Sequence, residues 1–342
     1  MRKLVLSLHL WAALATGLFI VVLGATGSIM AFEDQLDHLL HPHLFYVAPQ
    51  PRLLTLAELG AAVSRAFPGQ RTLAYGLSVA PDLSYSVSVR SGTVFVNQYT
   101  GEILGMRSAP TFLNNVHQLH LRLLAGAAGK RIVSWAAVVM LFLLLSGVYL
   151  WWPFKRVTIA WRAPARRIWF DVHSTIGIVV VLFLLVLTVT GIVIGFEEET
   201  TPLFYRITRS RPADTDFKTA PRTTTAVTPD EAVALARTAL PGAAPIGVNV
   251  PGPNAVYMVR LRYPEDLTPG GRSRVYVEPS TGAVLQAESS RTTAAGQRLV
   301  IANRAIHTGD IFGFPSKTMM SIASLMAAMQ VISGVALWWT RR

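Results

Sequence analysis

Residues Ile132–Trp152 read IVSWAAVVMLFLLLSGVYLWW, a run without a charge. About 20 apolar residues suffice to cross the hydrocarbon core of a bilayer as a helix. Thr318–Trp339 reads TMMSIASLMAAMQVISGVALWW and closes on the same Ser-Gly-Val-x-Leu-Trp-Trp ending. Two further uncharged runs, Leu10–Phe32 and Ser174–Phe196, are equally long. Met1-Arg2-Lys3 resembles the start of a signal peptide, but the run that follows is too long for one and no small-x-small cleavage site ends it. The reading is four transmembrane helices. Composition agrees: 51% of the 342 residues are hydrophobic and 15% charged, against about 25% charged in a soluble domain.

The net charge of +12 sorts by side of the membrane. Met1-Arg2-Lys3, Pro153–Phe170 and Arg341-Arg342 hold Arg2, Lys3, Lys155, Arg156, Arg162, Arg166, Arg167, Arg341 and Arg342, with Asp171 the one acid nearby. Basic short segments mark the cytoplasmic face, so both termini are expected inside and both long connections outside. Trp151-Trp152 and Trp338-Trp339 then sit at the cytoplasmic interface as aromatic anchors. The charge sets topology; no soluble segment carries the basic stripe of a nucleic-acid binder. Cysteine is absent, which excludes disulfides, iron–sulfur clusters, thiol redox and covalent c-type haem.

The chain is a duplication. Spans one and three match at an offset of 164: His9 with His173, Thr26-Gly27 with Thr190-Gly191, Phe32-Glu33 with Phe196-Glu197. Spans two and four match at 187: His120 with His307, Gly126 with Gly313, Lys130 with Lys317 and the two Trp-Trp endings. The connections repeat at 173. Thr55–Glu58 and Thr228–Glu231 read as capping boxes opening short helices that stop at Pro68-Gly69 and Pro241-Gly242. Alternating strands follow, at Tyr85–Arg90 and Thr93–Asn97, then at Tyr257–Arg262 and Arg274–Glu278. The unit is helix, external α+β module, helix, twice in the same direction. Its segments are helix 1 (1–33), module 1 (34–112), an interfacial segment with helix 2 (113–152), a cytoplasmic loop (153–170), helix 3 (171–196), module 2 (197–300) and an interfacial segment with helix 4 (301–342).

Histidine in or beside a span marks function by default. His9 and His173 begin spans one and three on the cytoplasmic side; His120 and His307 precede spans two and four on the external side. On a helical wheel Gly24 and Gly27 lie within about 60° of His9, and Gly177, Gly191 and Gly195 within about 40° of His173. Such stripes serve helix packing or leave room for a flat macrocycle. Two symmetric imidazole pairs, one per face, suit two b-type haems held without cysteine. His117, one turn before His120, is the alternative external ligand, and Arg304 stands at its repeat position. Lys130 and Lys317, with Arg122 and Arg304, are candidates to pair with haem propionates. Asp171 pairs with an arginine of the basic loop or supports the His173 imidazole. His38, His41 and His43 have no repeat partner, and the external arginines (Arg260, Arg262, Arg272, Arg274) fit solvated strand positions as well as an anionic ligand.

These carriers together resemble the PepSY-associated transmembrane proteins, a family that includes siderophore reductases. They are Leu8-His9-Leu10-Trp11 with Thr26-Gly27, His117-Gln118-Leu119-His120, Tyr99-Thr100-Gly101-Glu102, Asp171-Val172-His173, His307–Gly313 and the two Ser-Gly-Val endings. The resemblance implies a membrane protein with two external PepSY-like modules in the periplasm of a bacterial inner membrane. It also implies two haem b groups and a ferric siderophore or other iron chelate as substrate. The electron donor would be a quinol or a cytoplasmic flavoprotein; membrane lipids are partners and nucleic acid is not. No residue is singled out as catalytic beyond the haem ligands. The rival readings are a regulatory protein whose PepSY modules bind a partner, and a metal transporter. The latter calls for polar groups in mid-span, where Gln330 is the most polar residue.

Overall fold

A computed structural model describes residues 1–214, 217, 226–252 and 255–340. Arg341 and Arg342, counted above among the cytoplasmic bases, lie outside the described residues. The elements in order are helices α1 (Arg2–Met30), α2 (Glu33–Leu40), α3 (Pro42–Phe45) and α4 (Leu56–Ala66), then strands β1 (Thr72–Gly76), β2 (Tyr85–Val89), β3 (Gly92–Val96) and β4 (Ile103–Arg107). Next come α5 (Phe112–Arg122), α6 (Gly126–Trp151), α7 (Ala165–Gly195), α8 (Glu197–Ile207) and α9 (Pro229–Ala239). Strands β5 (Ala244–Asn249), β6 (Tyr257–Arg262), β7 (Ser273–Val277) and β8 (Val284–Glu288) precede α10 (Ala295–Thr308) and α11 (Phe314–Trp339). Two compact units result. One is 1–33, 112–204 and 302–342; the other is 34–111 and 205–301.

The first unit is a four-helix bundle. α1, α6, α7 and α11 are each long and apolar enough to cross a membrane, so the chain is a multi-pass membrane protein. Each packs on two neighbours in the ring α1–α6–α7–α11, which leaves α1 and α7 diagonal. The chain runs up and down: Arg2 Nη2 donates to Leu150 O at 3.0 Å, joining the start of α1 to the end of α6. α1 and α7 begin well before their uncharged runs, at Arg2 and Ala165. His9 and His173 therefore lie inside helices, not at their starts. Glycine sets the spacing: a Cβ on Gly24 would come within 2.6 Å of Ser324 O, and one on Gly195 within 2.6 Å of Ser134 Oγ. Those glycines serve close helix packing, one of the two readings of the stripes.

The second unit joins both α+β modules in a single antiparallel sheet of order β4-β3-β2-β1-β5-β6-β7-β8. The modules meet edge to edge at β1 and β5, with Ala74 opposite Asn249, Tyr75 opposite Val248 and Gly76 opposite Gly247. At the repeat offset of 173 these pairs map onto one another, so a pseudo-twofold axis passes through the Tyr75–Val248 pair. Joining the two β1-type edges covers unpaired backbone that would otherwise invite aggregation. One face carries the core: Val87, Val94, Val96, Val248, Val259, Leu261, Val275 and Val277 are fully buried with residues of α4 and α9.

Both capping boxes form, Thr55 with Glu58 and Thr228 with Glu231. Asp230 adds a bridge between modules: its carboxylate accepts Leu56 N–H at 2.7 Å and Ala57 N–H at 3.0 Å, at the start of α4. Its repeat position holds Ala57, so the bridge is made once. Asp230→Ala should destabilise this unit by about 1 kcal/mol, as loss of a helix cap does, read as a lower urea midpoint.

Candidate functional site

Four histidines enter the bundle, and each has its Nδ1 held by a hydroxyl of a neighbouring helix. His9 Nδ1 lies 2.8 Å from Ser146 Oγ. His173 Nδ1 lies 3.1 Å from Ser333 Oγ and 3.0 Å from Gln330 O. His120 Nδ1 is 3.0 Å from Thr26 Oγ1, and His307 Nδ1 is 2.9 Å from Thr190 Oγ1. The hydroxyls are themselves repeat pairs, Ser146 with Ser333 and Thr26 with Thr190.

The direction of these bonds follows from proton counting. A hydroxyl has one proton to donate. Thr26 gives its proton to Val22 O at 2.6 Å, Thr190 to Val186 O at 2.6 Å, Ser146 to Phe142 O at 2.7 Å and Ser333 to Gln330 O at 3.1 Å. Each hydroxyl oxygen must then accept from the imidazole, so Nδ1 carries the hydrogen. Gln330 O, which can only accept, requires the same of His173. All four rings are thereby set as the tautomer whose Nε2 has a free lone pair, the form that ligates a metal.

Position favours ligation as well. His9 and His173 reach across from the diagonal helices α1 and α7, with ring centroids 6.4 Å apart and planes at 87°. Two imidazoles that shared one metal, each bonded to it at about 2 Å, would have ring centres about 6 Å apart, so this spacing would allow a shared metal. His120 and His307 line a cavity of about 320 Å³ with Gly24, Gly27, Gly191 and Gly195, a size typical of cofactor pockets. Glycine lies beside each ring: a Cβ would come within 3.0 Å of His120 Cε1 at Gly27, 3.2 Å of His307 Cε1 at Gly191, 3.3 Å of His173 Cε1 at Gly334 and 3.7 Å of His9 Cε1 at Gly147.

His120 and His307 lie on α5 and α10, outside the four spans. Burial pushes both imidazoles down to about 4; neighbouring His307 and His117 add to the effect on His120, and Arg304 on His307. Both are neutral at pH 7, as a ligand must be. The turn that returns α5 to the bundle is tight, with Leu123 and Leu124 at φ 49° and 57°. It fits because Gly129 has no side chain where Arg122 O lies.

Of the two external histidines, His120 lines the cavity, whereas His117 Nδ1 is 2.7 Å from Glu33 Oε2. Lys130 lines the cavity beside Arg122 and Arg304 and pairs with Glu197 at 3.2 Å. Lys317 is not among the lining residues; its ammonium is held by Asp310 at 2.9 Å. Asp171 is buried and bonds Arg167 Nε at 2.9 Å and Ala160 N–H at 3.2 Å, the basic-loop pairing. In the other unit His41 bonds Asp37 at 2.9 Å, Asp37 also binds Arg107, and His38 packs on Phe45 at 4.3 Å between ring centroids. Two of the three clustered histidines are thus accounted for by local contacts.

Among the described residues no cluster of three or more His, Cys, Asp or Glu side chains could hold a metal ion. Two imidazoles alone make a poor cage for a bare ion, which takes four or more protein donors in closed sites. Such a pair would complete the coordination only of a metal that arrived with further donors of its own.

Bundle, duplicated modules and paired histidines define a class: a multi-pass membrane protein built twice from a helix–α+β–helix unit. The chain belongs to the family described as the PepSY-associated TM region, whose model matches residues 6–341. No curated protein matches it.

Proposed function

We propose that this chain is a di-haem b reductase of a bacterial inner membrane, carrying electrons outward to a ferric chelate such as a ferric siderophore and releasing Fe²⁺. His9 and His173 would hold the inner haem, and His120 and His307 the outer one. Both termini would lie in the cytoplasm and the joined PepSY-like modules in the periplasm, in line with the basic segments around Arg2 and Lys155–Arg167. The observation that carries the reading is the four-fold Nδ1–H to hydroxyl pattern, which presents a bare Nε2 at both ends of one bundle.

Haem, when bound, supplies a one-electron iron couple at each end. The chain's residues do the rest. Ser146, Ser333, Thr26 and Thr190 fix ring orientation and raise ligand basicity. Gly27, Gly147, Gly191 and Gly334 keep the space beside the rings free of side chains. Arg122, Lys130 and Arg304 put positive charge at the outer cavity, where acidic substituents of a macrocycle would be held. Lys317 has that role only if it leaves Asp310. The electron donor is a quinol or a cytoplasmic flavoprotein.

Two experiments follow. Protein reduced without oxygen and mixed with a ferric chelate should yield ferrous iron, counted with a ferrous-specific dye. Protein that stays reduced, with no ferrous iron formed, would contradict the reductase reading and leave a regulatory PepSY protein. Thr26→Val with Thr190→Val removes the acceptors of His120 and His307. Less basic ligands favour Fe³⁺ less, so the outer potential should rise, by about 60 mV for each tenfold loss of ferric preference. Redox titration with optical detection measures it.

A further inference from the structure

One rung of the sheet, next to the pseudo-twofold axis, runs through Ser86, Gly76, Gly247, Arg260, Arg274 and Glu288. It lies on the face opposite the core, since its neighbours Val87, Val259 and Val275 point into that core. At the centre of the rung two glycines leave the backbone bare. Arg260 folds over one of them: its Nη2 comes within 2.6 Å of where a Cβ on Gly247 would be. Over the other glycine, Gly76, lies the Ser86 hydroxyl.

The arginines here are costly as they stand. Arg260 and Arg274 are direct cross-strand neighbours, and like charges so placed destabilise a sheet. Among the described residues neither they nor Arg262 have an ion-pair partner. Glu288, across from Arg274, is hydrogen-bonded to Gln286 at 3.0 Å. Arg262, two residues along β6, has a buried Nε with no acceptor, an arrangement that costs stability unless something fills it. Nor are Arg260 and Arg274 inherited from the repeat, although Arg262 is matched by Arg90. The register pairs Ala74 with Ser88 and Gly247 with Arg260, so Ser88 is the counterpart of Arg260 and, one strand on, Thr93 that of Arg274. Module 1 folds with neutral residues where module 2 carries Arg260 and Arg274. Phe217 packs on Tyr276, with ring centroids 4.7 Å apart, and Tyr276 is paired with Met258 in the next rung of that face.

We infer that Arg260, Arg262 and Arg274 form a binding site on module 2 for an anionic, carboxylate- or catecholate-bearing ferric chelate. Guanidinium groups grip such oxygens with paired charge-assisted hydrogen bonds. That the anion is an iron chelate rests on the function proposed above; the anion site rests on the arginines.

The test uses the full chain in detergent with ferric citrate as the polyanionic probe and a neutral ferric trihydroxamate as comparison, both by calorimetry. Arg260→Ser with Arg274→Thr installs the residues that module 1 tolerates at the matching positions. The double variant should bind ferric citrate at least about tenfold more weakly. Its melting temperature should be equal to the parent's or higher, its haem content and trihydroxamate affinity should be unchanged, and salt should weaken citrate binding to the parent. Equal citrate affinity in parent and variant, or no binding to the parent, overturns the site. Ferrous release is scored separately: citrate that binds but yields no Fe²⁺ counts against the reductase reading and leaves the arginine site standing.

Discussion

His307→Ala should leave a folded protein carrying about half the haem of the parent, because one of two bis-imidazole sites loses a ligand. His307 lines the outer cavity with His120, and no further histidine lines it. The Thr190 hydroxyl keeps its bond to Val186 O, so removal of the ring strands no buried donor. His173→Ala should remove the other haem in the same way, since its ring partner His9 lies 6.4 Å away at the opposite end of the bundle. Combining the two substitutions should give a colourless protein with parental helix content by circular dichroism. His117→Ala is the control: its ring pairs with Glu33, and haem content should not change. Haem is measured by pyridine haemochrome against protein concentration. Full haem in His307→Ala would remove His307 from the site.

Gly191→Leu should empty the same site with every ligand histidine retained. Any Cβ there stands 3.2 Å from His307 Cε1, tighter than ordinary contact, and three further carbons must enter the cavity that the ring faces. Gly27→Leu acts on His120 from α1, with Cβ 3.0 Å from His120 Cε1 and 2.7 Å from Ser324 Oγ. Each variant should lose the outer haem and keep the inner one, and overpacking should cost about 1–3 kcal/mol of stability. Gly69→Ala is the comparison, since nothing lies within 4 Å of its Cβ; it should keep both haems despite the strain at φ 79°. Retention of both haems in Gly191→Leu would mean that the space beside His307 is not where the macrocycle sits.

Most of the bundle could be read from the chain because its signals are local. Uncharged length gives the spans, and the offsets of 164 and 187 align the histidines before any contact is known. The hydroxyl partners were in view as well, inside the repeated Thr-Gly and Ser-Gly-Val segments, but their role was not. Serine and threonine in a span ordinarily bond back to the preceding turn. Only the packing of α6 on α1 and of α11 on α7 shows that Ser146 and Ser333 also meet His9 and His173. The glycines divided in a similar way. Gly24 and Gly195 hold helices together, while Gly147 and Gly334, which lie beside the inner imidazoles, belong to helices other than those of the rings they face.

The joining of the two modules was hidden for a different reason. β1 reads Thr-Leu-Ala-Tyr-Gly and β5 reads Ala-Pro-Ile-Gly-Val-Asn, with glycine or proline where a strand signal needs alternation. Their pairing spans more than 170 residues, so no local pattern reports it. The same limit applies to Lys317. Its repeat relation to Lys130 suggested a shared role, yet Asp310 follows a left-handed Gly309 and meets the ammonium directly.

The central claim, that both imidazole pairs hold haem, is tested most directly by the optical spectrum of the detergent-purified chain made with ample haem. A sharp Soret band with resolved α and β bands after dithionite, and about two haems per chain, are expected. A colourless protein, or one haem that survives the loss of either histidine pair, would contradict the claim.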